Sequence, residues 1–226
     1  PNEYEKDTVL SNEIKANQIA VQARWEKEIF GFSSKAMVYK SLKNEYATQA
    51  LRVNLSRNII KDIILGASYN YRSQPLNFNF YLTQSDFREY NWENSSLENQ
   101  NFKTQSIFLS HPKWGSIKAD WTSINNYTFF NNKTPLLQLN KRFILEVLQT
   151  DKKIHYLKVR LDNRFDFGNF SWVNNLQYQK VNQEENTEEL LSGPLALNVP
   201  KWLIRSTFML TSSIFNKALF FQSGFT

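Results

Sequence analysis

The stretch from Ile154 to Val181, IHYLKVRLDNRFDFGNFSWVNNLQYQKV, constrains the fold more than any other part of the sequence. Apolar and polar side chains alternate along it, before and after residues 166–169. Successive side chains of a strand point to opposite faces, so this period predicts two strands, each with one apolar and one charged face. Gly168 and Asn169 favour the positive φ angles of a tight turn between them. The apolar positions are Leu157, Val159, Leu161, Phe165, Phe170, Trp172, Leu176 and Tyr178.

Aromatic side chains bracket this turn. Phe165 and Phe167 precede it, and Phe170 and Trp172 follow it. In transmembrane β-barrels, aromatic rings concentrate where lipid tails meet water. The hairpin is therefore typical of a barrel strand pair whose turn lies at a membrane interface.

The composition excludes several other classes of protein. The mean hydropathy is −0.52, and no run approaches the ~20 apolar residues of a spanning helix, so a helical membrane protein is excluded. Aromatic residues make up 15% of the 226 residues. Cysteine is absent, so neither a disulfide framework nor a thiolate metal site is expected. The net charge of +6 is spread along the strands rather than clustered, and nucleic acid is not expected as a partner.

The alternating pattern recurs along residues 1–226 and predicts about ten strands in one domain. Outer-membrane barrels have tight periplasmic turns and long external loops. Tight turns are predicted at about 27–30, 57–61, 111–116, 166–169 and 214–217, and long polar loops at about 73–100, 131–141 and 182–200. We therefore predict an all-β fold, an antiparallel transmembrane β-barrel of the outer-membrane type. No signal peptide precedes Pro1 and the last strand runs into Thr226, so we expect a segment of a larger barrel.

Aromatic residues also predict two belts, one at each membrane interface. Beside the short turns lie Trp25, Phe30, Trp114, Phe167, Phe170, Trp172 and Phe215, and near the long loops lie Tyr71, Tyr127, Phe129, Tyr178 and Trp202. The strand that follows the turn at 111–116 is expected to continue through Tyr127 and Phe129.

Charged side chains share the polar parity of the strands. A charge on the lipid face costs ~2–4 kcal/mol near the midplane, so this shared parity indicates that the charged face lines a lumen. Basic residues dominate it, and rings of Lys and Arg favour anions. An equally weighted alternative is that these charges pair with carboxylates on strands outside this segment. The candidate pore-lining residues are Arg24, Lys35, Arg52, Arg72, Lys118, Asp120, Lys158, Arg160, Asp162, Arg164 and Arg205.

Three segments resemble a known family. LALNVPKWLIRSTFMLTSSIFNKALFFQSGFT, RLDNRFDFGNFSWVNNLQYQ and TPLLQLNKRFILEVLQ are similar to the C-terminal half of the Bacteroidota putative porin family. The likeness covers the second half of the chain well and the first half in style only. From this resemblance we expect the family's signal, early strands and closing strand to lie outside this sequence. The matching residues are Leu161, Asp162, Asn163, Tyr178, Gln179, Pro200, Trp202, Arg205, Phe215, Lys217, Ala218, Leu219, Gln222 and Gly224.

The resemblance implies a location and a role. It implies a multi-pass β-barrel in the outer membrane of a Gram-negative cell, through which small hydrophilic solutes diffuse passively. Such a barrel would contact outer-membrane lipid, lipopolysaccharide and the solutes, and it needs no cofactor. His111 and His155 lack ligand spacing to a second His, Cys or carboxylate. We therefore expect no metal, no catalytic residue and no enzyme activity.

Two alternatives from other classes stay open. The first is a plugged structural barrel that anchors a surface or secretion complex through aromatic residues of its external loops, namely Tyr81, Phe87, Tyr90 and Trp92. The second is a soluble glycan-binding β-protein that uses Trp and Tyr as sugar platforms. It predicts an apolar interior.

Overall fold

The computed structural model is an all-β structure that describes residues 17–43, 46–85, 90–132, 145–183, 197–216 and 218–226. It has fourteen strands and one single-turn helix. In chain order these are β1 (Ile19–Ile29), β2 (Phe32–Lys43), β3 (Gln49–Ile60), β4 (Ile63–Gln74), α1 (Phe78–Tyr81), β5 (Leu82–Thr83), β6 (Trp92–Glu93), β7 (Gln100–His111), β8 (Gly115–Asn125), β9 (Thr128–Asn132), β10 (Leu145–Gln149), β11 (Ile154–Phe167), β12 (Phe170–Asn182), β13 (Trp202–Ile214) and β14 (Leu219–Phe225). Within these described residues, no helix is long and apolar enough to cross a membrane.

Ten of the strands form one sheet in the order β1-β2-β3-β4-β7-β8-β11-β12-β13-β14. Every neighbouring pair is antiparallel. The predicted all-β antiparallel fold is thus confirmed. Among the described strands, β1 and β14 each have a single partner, so the sheet is open.

The predicted loop 73–100 contains more structure than its polar sequence indicated, and an additional strand pair flanks the predicted loop 131–141. Within 73–100, α1 is capped by Asn77, whose side chain accepts a hydrogen bond from the Asn79 N–H, and β5 pairs with β6. β9 pairs with β10 in a hairpin outside the main sheet. Asn126 has a φ of +57°, which ends β8 at Asn125 and redirects the chain. The prediction that this strand continues through Tyr127 and Phe129 was therefore wrong.

The connections of the main sheet are sorted by length between its two ends. Consecutive antiparallel strands place every second connection at the same end. The turns 30–31, 61–62, 112–114, 168–169 and 215–218 share one end, and the connections 44–48, 75–99, 126–153 and 183–201 share the other. We refer to these as the turn end and the loop end of the sheet.

Local backbone conformation explains two of the turns. Gly168 has a φ of +58°, as predicted, whereas Asn169 does not lie in the left-handed region. Gly115 has a φ of +93°, and a β-carbon there would overlap the backbone of Asp162 on β11. Glycine at this position therefore allows β8 and β11 to approach each other.

At the turn end, the strands are staggered in one direction. β3 extends three residues further than β2, β11 four further than β8, and β13 four further than β12, while β4 and β7 end level. These offsets sum to about eleven residues, or ~36 Å, across nine strand spacings of about 4.8 Å. The strands therefore tilt by about 40° from the normal to a plane through the turns. Transmembrane barrels have strand tilts of about 35–45°.

The two faces of the sheet differ in chemistry and in exposure. On β7 and β8, Ile107 and Trp121 are 63% and 60% exposed, whereas Ser106 and Asp120 on the opposite face are each 6% exposed. A soluble sandwich would instead bury its apolar face. We refer to the two sides as the apolar face and the polar face. The buried hydrophobic residues in the described ranges are Leu76, Tyr81, Ile124 and Ile154.

Candidate functional site

The register of the strands assembles a continuous row of polar side chains on the polar face. Directly paired residues of antiparallel strands point to the same side of a sheet. The row crosses eight neighbouring strands and consists of Glu26, Lys35, Asn54, Ser68, Ser106, Asp120, Lys158 and Gln179. Polar residues from distant parts of the sequence thus form one hydrophilic path.

Asp120 binds two lysines near the centre of this row. Its Oδ1 atom lies 2.8 Å from Lys118 Nζ and accepts a hydrogen bond of 2.6 Å from Ser106 Oγ. Its Oδ2 atom lies 3.2 Å from Lys158 Nζ. A buried carboxylate requires compensating charge and hydrogen bonds, which these three partners supply. Because two ammonium groups surround one carboxylate, the cluster keeps a net positive charge.

A second cluster lies on β1 and β2. Glu26 Oε1 lies 2.6 Å from Arg24 Nη2 and 3.3 Å from Lys35 Nζ. All three side chains are more than 40% exposed, so these ion pairs add little to stability. They do affect the charge of the polar face, because two cations again share one carboxylate and leave a net positive charge.

Further ion pairs follow β11 toward the turn end. Arg160 Nε donates to Asp162 Oδ2 at 2.6 Å, and Asn175 Nδ2 donates to Asp162 Oδ1 at 2.6 Å. Arg164 Nε donates to Asp166 Oδ1 at 2.8 Å. Both carboxylates are therefore neutralised by arginines of their own strand.

Three arginines of the polar face make no ion pair within the described part of the chain. The Arg72 guanidinium lies over the Phe102 ring, 5.1 Å from its centroid. Arg52 pairs in register with Asn70, and Arg205 with Asn175. These arginines supply the positive charge that the carboxylates do not balance.

All eleven candidate pore-lining residues lie on the polar face, as their parity predicted. Glu28 and Asp166 share this face and were missed, because both fall within predicted tight turns, 27–30 and 166–169. Glu26 also lies on this face. Among the side chains that the structure describes on this face, Lys and Arg outnumber Asp and Glu by nine to five. Ion pairs within the described ranges involve Glu26, Asp120, Asp162 and Asp166. The alternative that the remaining basic side chains pair with carboxylates on other strands stays open. The pore-lining role itself stays a prediction.

Exposed rings mark the turn end. Phe30 is 92% exposed. A ladder of rings starts beside the turn at 168–169 and runs across the apolar face through Phe165, Trp172, Phe208 and Phe225, with centroid distances of 5.7, 5.5 and 5.1 Å. Six residues separate each of its far members, Phe208 and Phe225, from the turn at 215–218. Of the predicted belt residues, Trp114, Phe167, Phe170 and Phe215 are also exposed at the turns, whereas Trp25 lies about 13 Å along β1 from its turn.

At the loop end, the predicted belt residues occupy two settings. Tyr178 packs against Trp202 with ring centroids 4.8 Å apart, and the Tyr71 hydroxyl lies 3.5 Å from Asn101 Oδ1. Tyr127 stacks on Phe129 at 6.2 Å, outside the main sheet. Burial raises the pKa of the Tyr127 phenol above its ordinary value.

Gln149 ties the long loop to the β9-β10 hairpin. Its Nε2 group donates to Glu98 O at 2.8 Å, Asn126 O at 3.2 Å and Thr128 Oγ1 at 2.9 Å, and its Oε1 accepts from Glu98 N at 3.0 Å. These bonds join the 75–99 connection to the hairpin at the loop end of the sheet, and we refer to this hydrogen-bonded region as the loop cap. No alternation rule identifies such a residue, because its partners lie outside the main sheet.

Two of the four loop aromatics that were predicted to contact a partner, Tyr81 and Trp92, instead pack against other rings of the chain. Tyr81 is buried and packs on Tyr46 at 5.2 Å, and Trp92 packs on Phe130 at 5.8 Å. Tyr90 is 38% exposed, and Phe87 lies outside the described residues.

The two histidines have separate settings. His111 stacks on Trp114 at 4.3 Å, and its Nδ1 accepts backbone N–H bonds from Lys113 and Trp114, which stabilises the turn. His155 Nδ1 lies 3.2 Å from Ser123 Oγ on the apolar face. In the described ranges, no group of three or more His, Cys, Asp or Glu side chains is placed to hold a metal ion.

The antiparallel sheet exposes an apolar face and carries its charges on the opposite face. Its strands are tilted, and its short turns and long connections lie at opposite ends. These features together define the β-barrel class of porin-like proteins. Comparison with family models agrees with this class. The chain belongs to the family described as putative porin, whose model matches residues 2–226. The match thus includes the first half of the chain, where the sequence likeness was in style only. A search of curated proteins finds no match.

Proposed function

We propose that the chain forms part of an outer-membrane channel of the porin type, which passes small hydrophilic solutes by diffusion. The observation that carries the proposal is the unbroken polar row on one face of a sheet whose other face exposes Ile107 and Trp121. A lipid environment accommodates the apolar face, and water accommodates the polar one. The proposal includes no catalytic step and no cofactor. In this proposal, the apolar face of the sheet contacts outer-membrane lipid and lipopolysaccharide.

The charge of the polar face supports a preference for anions. Each carboxylate of the central row is shared by two cations. Arg52, Arg72 and Arg205 add charge and have no carboxylate partner in the part of the chain that the structure describes. Cationic linings favour anion entry because they attract anions and repel cations. The preference should weaken as salt screens the charges.

The test is planar-bilayer recording on the full-length native protein purified in detergent. We expect single-channel steps and, across a KCl gradient, a zero-current potential toward the chloride equilibrium value. A conducting channel with cation selectivity would overturn the anion preference alone. Membrane insertion without any conductance would overturn the channel and favour the plugged barrel. If the protein were extracted from cells without detergent, the membrane location would be overturned and the hypothesis of a soluble glycan-binding β-protein would be favoured.

A further inference from the structure

A cleft on the polar face brings two arginines together near the end of the sheet. Its volume is about 240 Å³, and it lies between β11, β12 and β13. The lining residues are Arg160, Asn175, Gln177, Leu203, Ile204 and Arg205. The register places Arg160 beside Gln177 and Arg205 beside Asn175, so the two arginines lie diagonally across β12.

The hydrogen bonds around Asp162 leave donors free to face this cleft. Asp162 uses one oxygen for Arg160 Nε and the other for Asn175 Nδ2. Arg160 therefore keeps its terminal guanidinium nitrogens, and Arg205 has no ion pair in the described part of the chain. Two guanidinium groups and the Gln177 amide thus border the cleft, and the two arginines together with Asp162 leave a net positive charge beside it.

We propose that this cleft is a binding subsite for small solutes that carry a phosphate or carboxylate group. Guanidinium groups bind such oxyanions through paired, charge-assisted hydrogen bonds, which chloride cannot form in the same geometry. Leu203 is 46% exposed beside the arginines and offers an apolar contact for the carbon skeleton of the solute. The subsite rests on the proposed channel, because it would act on solutes that enter the lumen.

The experiment uses inorganic phosphate as the probe on the full-length protein. In planar bilayers, we expect phosphate to reduce the chloride current in a concentration-dependent manner. Arg205→Gln should weaken this block at least about tenfold, since one set of charge-assisted hydrogen bonds is lost. Arg205 makes no ion pair in the described ranges, so this variant should retain its fold. Arg52→Gln is the charge-matched control, because Arg52 lies on the same face but on β3, away from the cleft. It should lower the anion preference, while the phosphate concentration that halves the current should stay as in the parent.

Calorimetric titration of phosphate into detergent-solubilised protein separates the two proposals. Phosphate binding that Arg205→Gln abolishes supports the subsite even if no conductance is found, in which case the channel alone fails. A conducting channel without phosphate block or binding overturns the subsite alone. Equal weakening of the block by Arg205→Gln and Arg52→Gln would also overturn it, since the effect would then come from overall charge.

Discussion

The ring of Phe108 occupies the space where a β-carbon on Gly66 would lie. The two residues are direct cross-strand partners on the polar face, where the ring covers the backbone of β4. An aromatic ring over a strand glycine compensates for the missing side chain. This contact constrains both residues.

Gly66→Ala should destabilise the protein by about 1–3 kcal/mol, because the added methyl group overpacks against the ring. The measurement is urea unfolding in detergent micelles, followed by tryptophan fluorescence. Combining Gly66→Ala with Phe108→Leu should recover part of the loss. A Gly66→Ala variant as stable as the parent would show that the ring moves aside at no cost.

The orientation of the sheet can be tested at two adjacent positions of β4. Ala67 lies on the apolar face and Ser68 on the polar face. In lipid, Ala67→Arg should cost ~2–4 kcal/mol, whereas Ser68→Arg should cost less than about 1 kcal/mol. Reversible unfolding from lipid vesicles measures both. If the apolar face contacted water, Ala67→Arg would be harmless and the difference between the variants would vanish.

Asp120 sets part of the charge balance of the polar face. Asp120→Asn removes the carboxylate between Lys118 and Lys158 and should strengthen the preference for anions. The zero-current potential across a KCl gradient should move further toward the chloride value. Ser106→Ala is the control, since it removes the hydrogen bond to Asp120 without changing charge. A shift toward cations would contradict a lumen lined by this face.

Gln149 should determine how firmly the loop cap is held. Gln149→Ala removes the amide that links Glu98, Asn126 and Thr128. Its two N–H donors are shared among three acceptors and its oxygen accepts one bond, so about three hydrogen bonds are lost, each worth about 1 kcal/mol. We expect faster cleavage within 75–99 during limited proteolysis in detergent, while heat-modifiable migration on gels is unchanged. Asp151→Asn, at an exposed nearby position, should leave the cleavage rate as it was. Identical rates for Gln149→Ala and the parent would mean that other contacts hold the cap.

Alternation along the chain was enough to predict the faces of the sheet, because a period of two does not depend on which strands pair. Arg24 on β1 and Arg205 on β13 are separated by seven strands of the described sheet, yet parity placed both on one face. The pairing of Asp120 with Lys158 was beyond such reasoning. It depends on the register in which β8 and β11 pair, and the alternation within each strand does not determine that register.

The residues at which strands end, and the distances of side chains from the turn end of the sheet, were predicted less well. The alternation continues past Asn126, so nothing in it signals the left-handed backbone that ends β8 there. Trp25 was assigned to the belt at the turn end because it lies two residues before the predicted turn at 27–30. β1 in fact continues to Ile29, which places Trp25 further from the turn. The cleft beside Arg205 and the bonds of Gln149 arise only when three or more segments meet.

The stagger of the strands has a consequence for the proposed location in a membrane. A twelve-residue strand rises ~40 Å along its own axis and ~30 Å across a membrane when inclined by about 40°. A single helix adapts to a thicker bilayer by changing its inclination, but here the inclination is set by the hydrogen bonds between strands. Hydrophobic mismatch would therefore be accommodated by lipid, which must thin or thicken around a sheet of constant height.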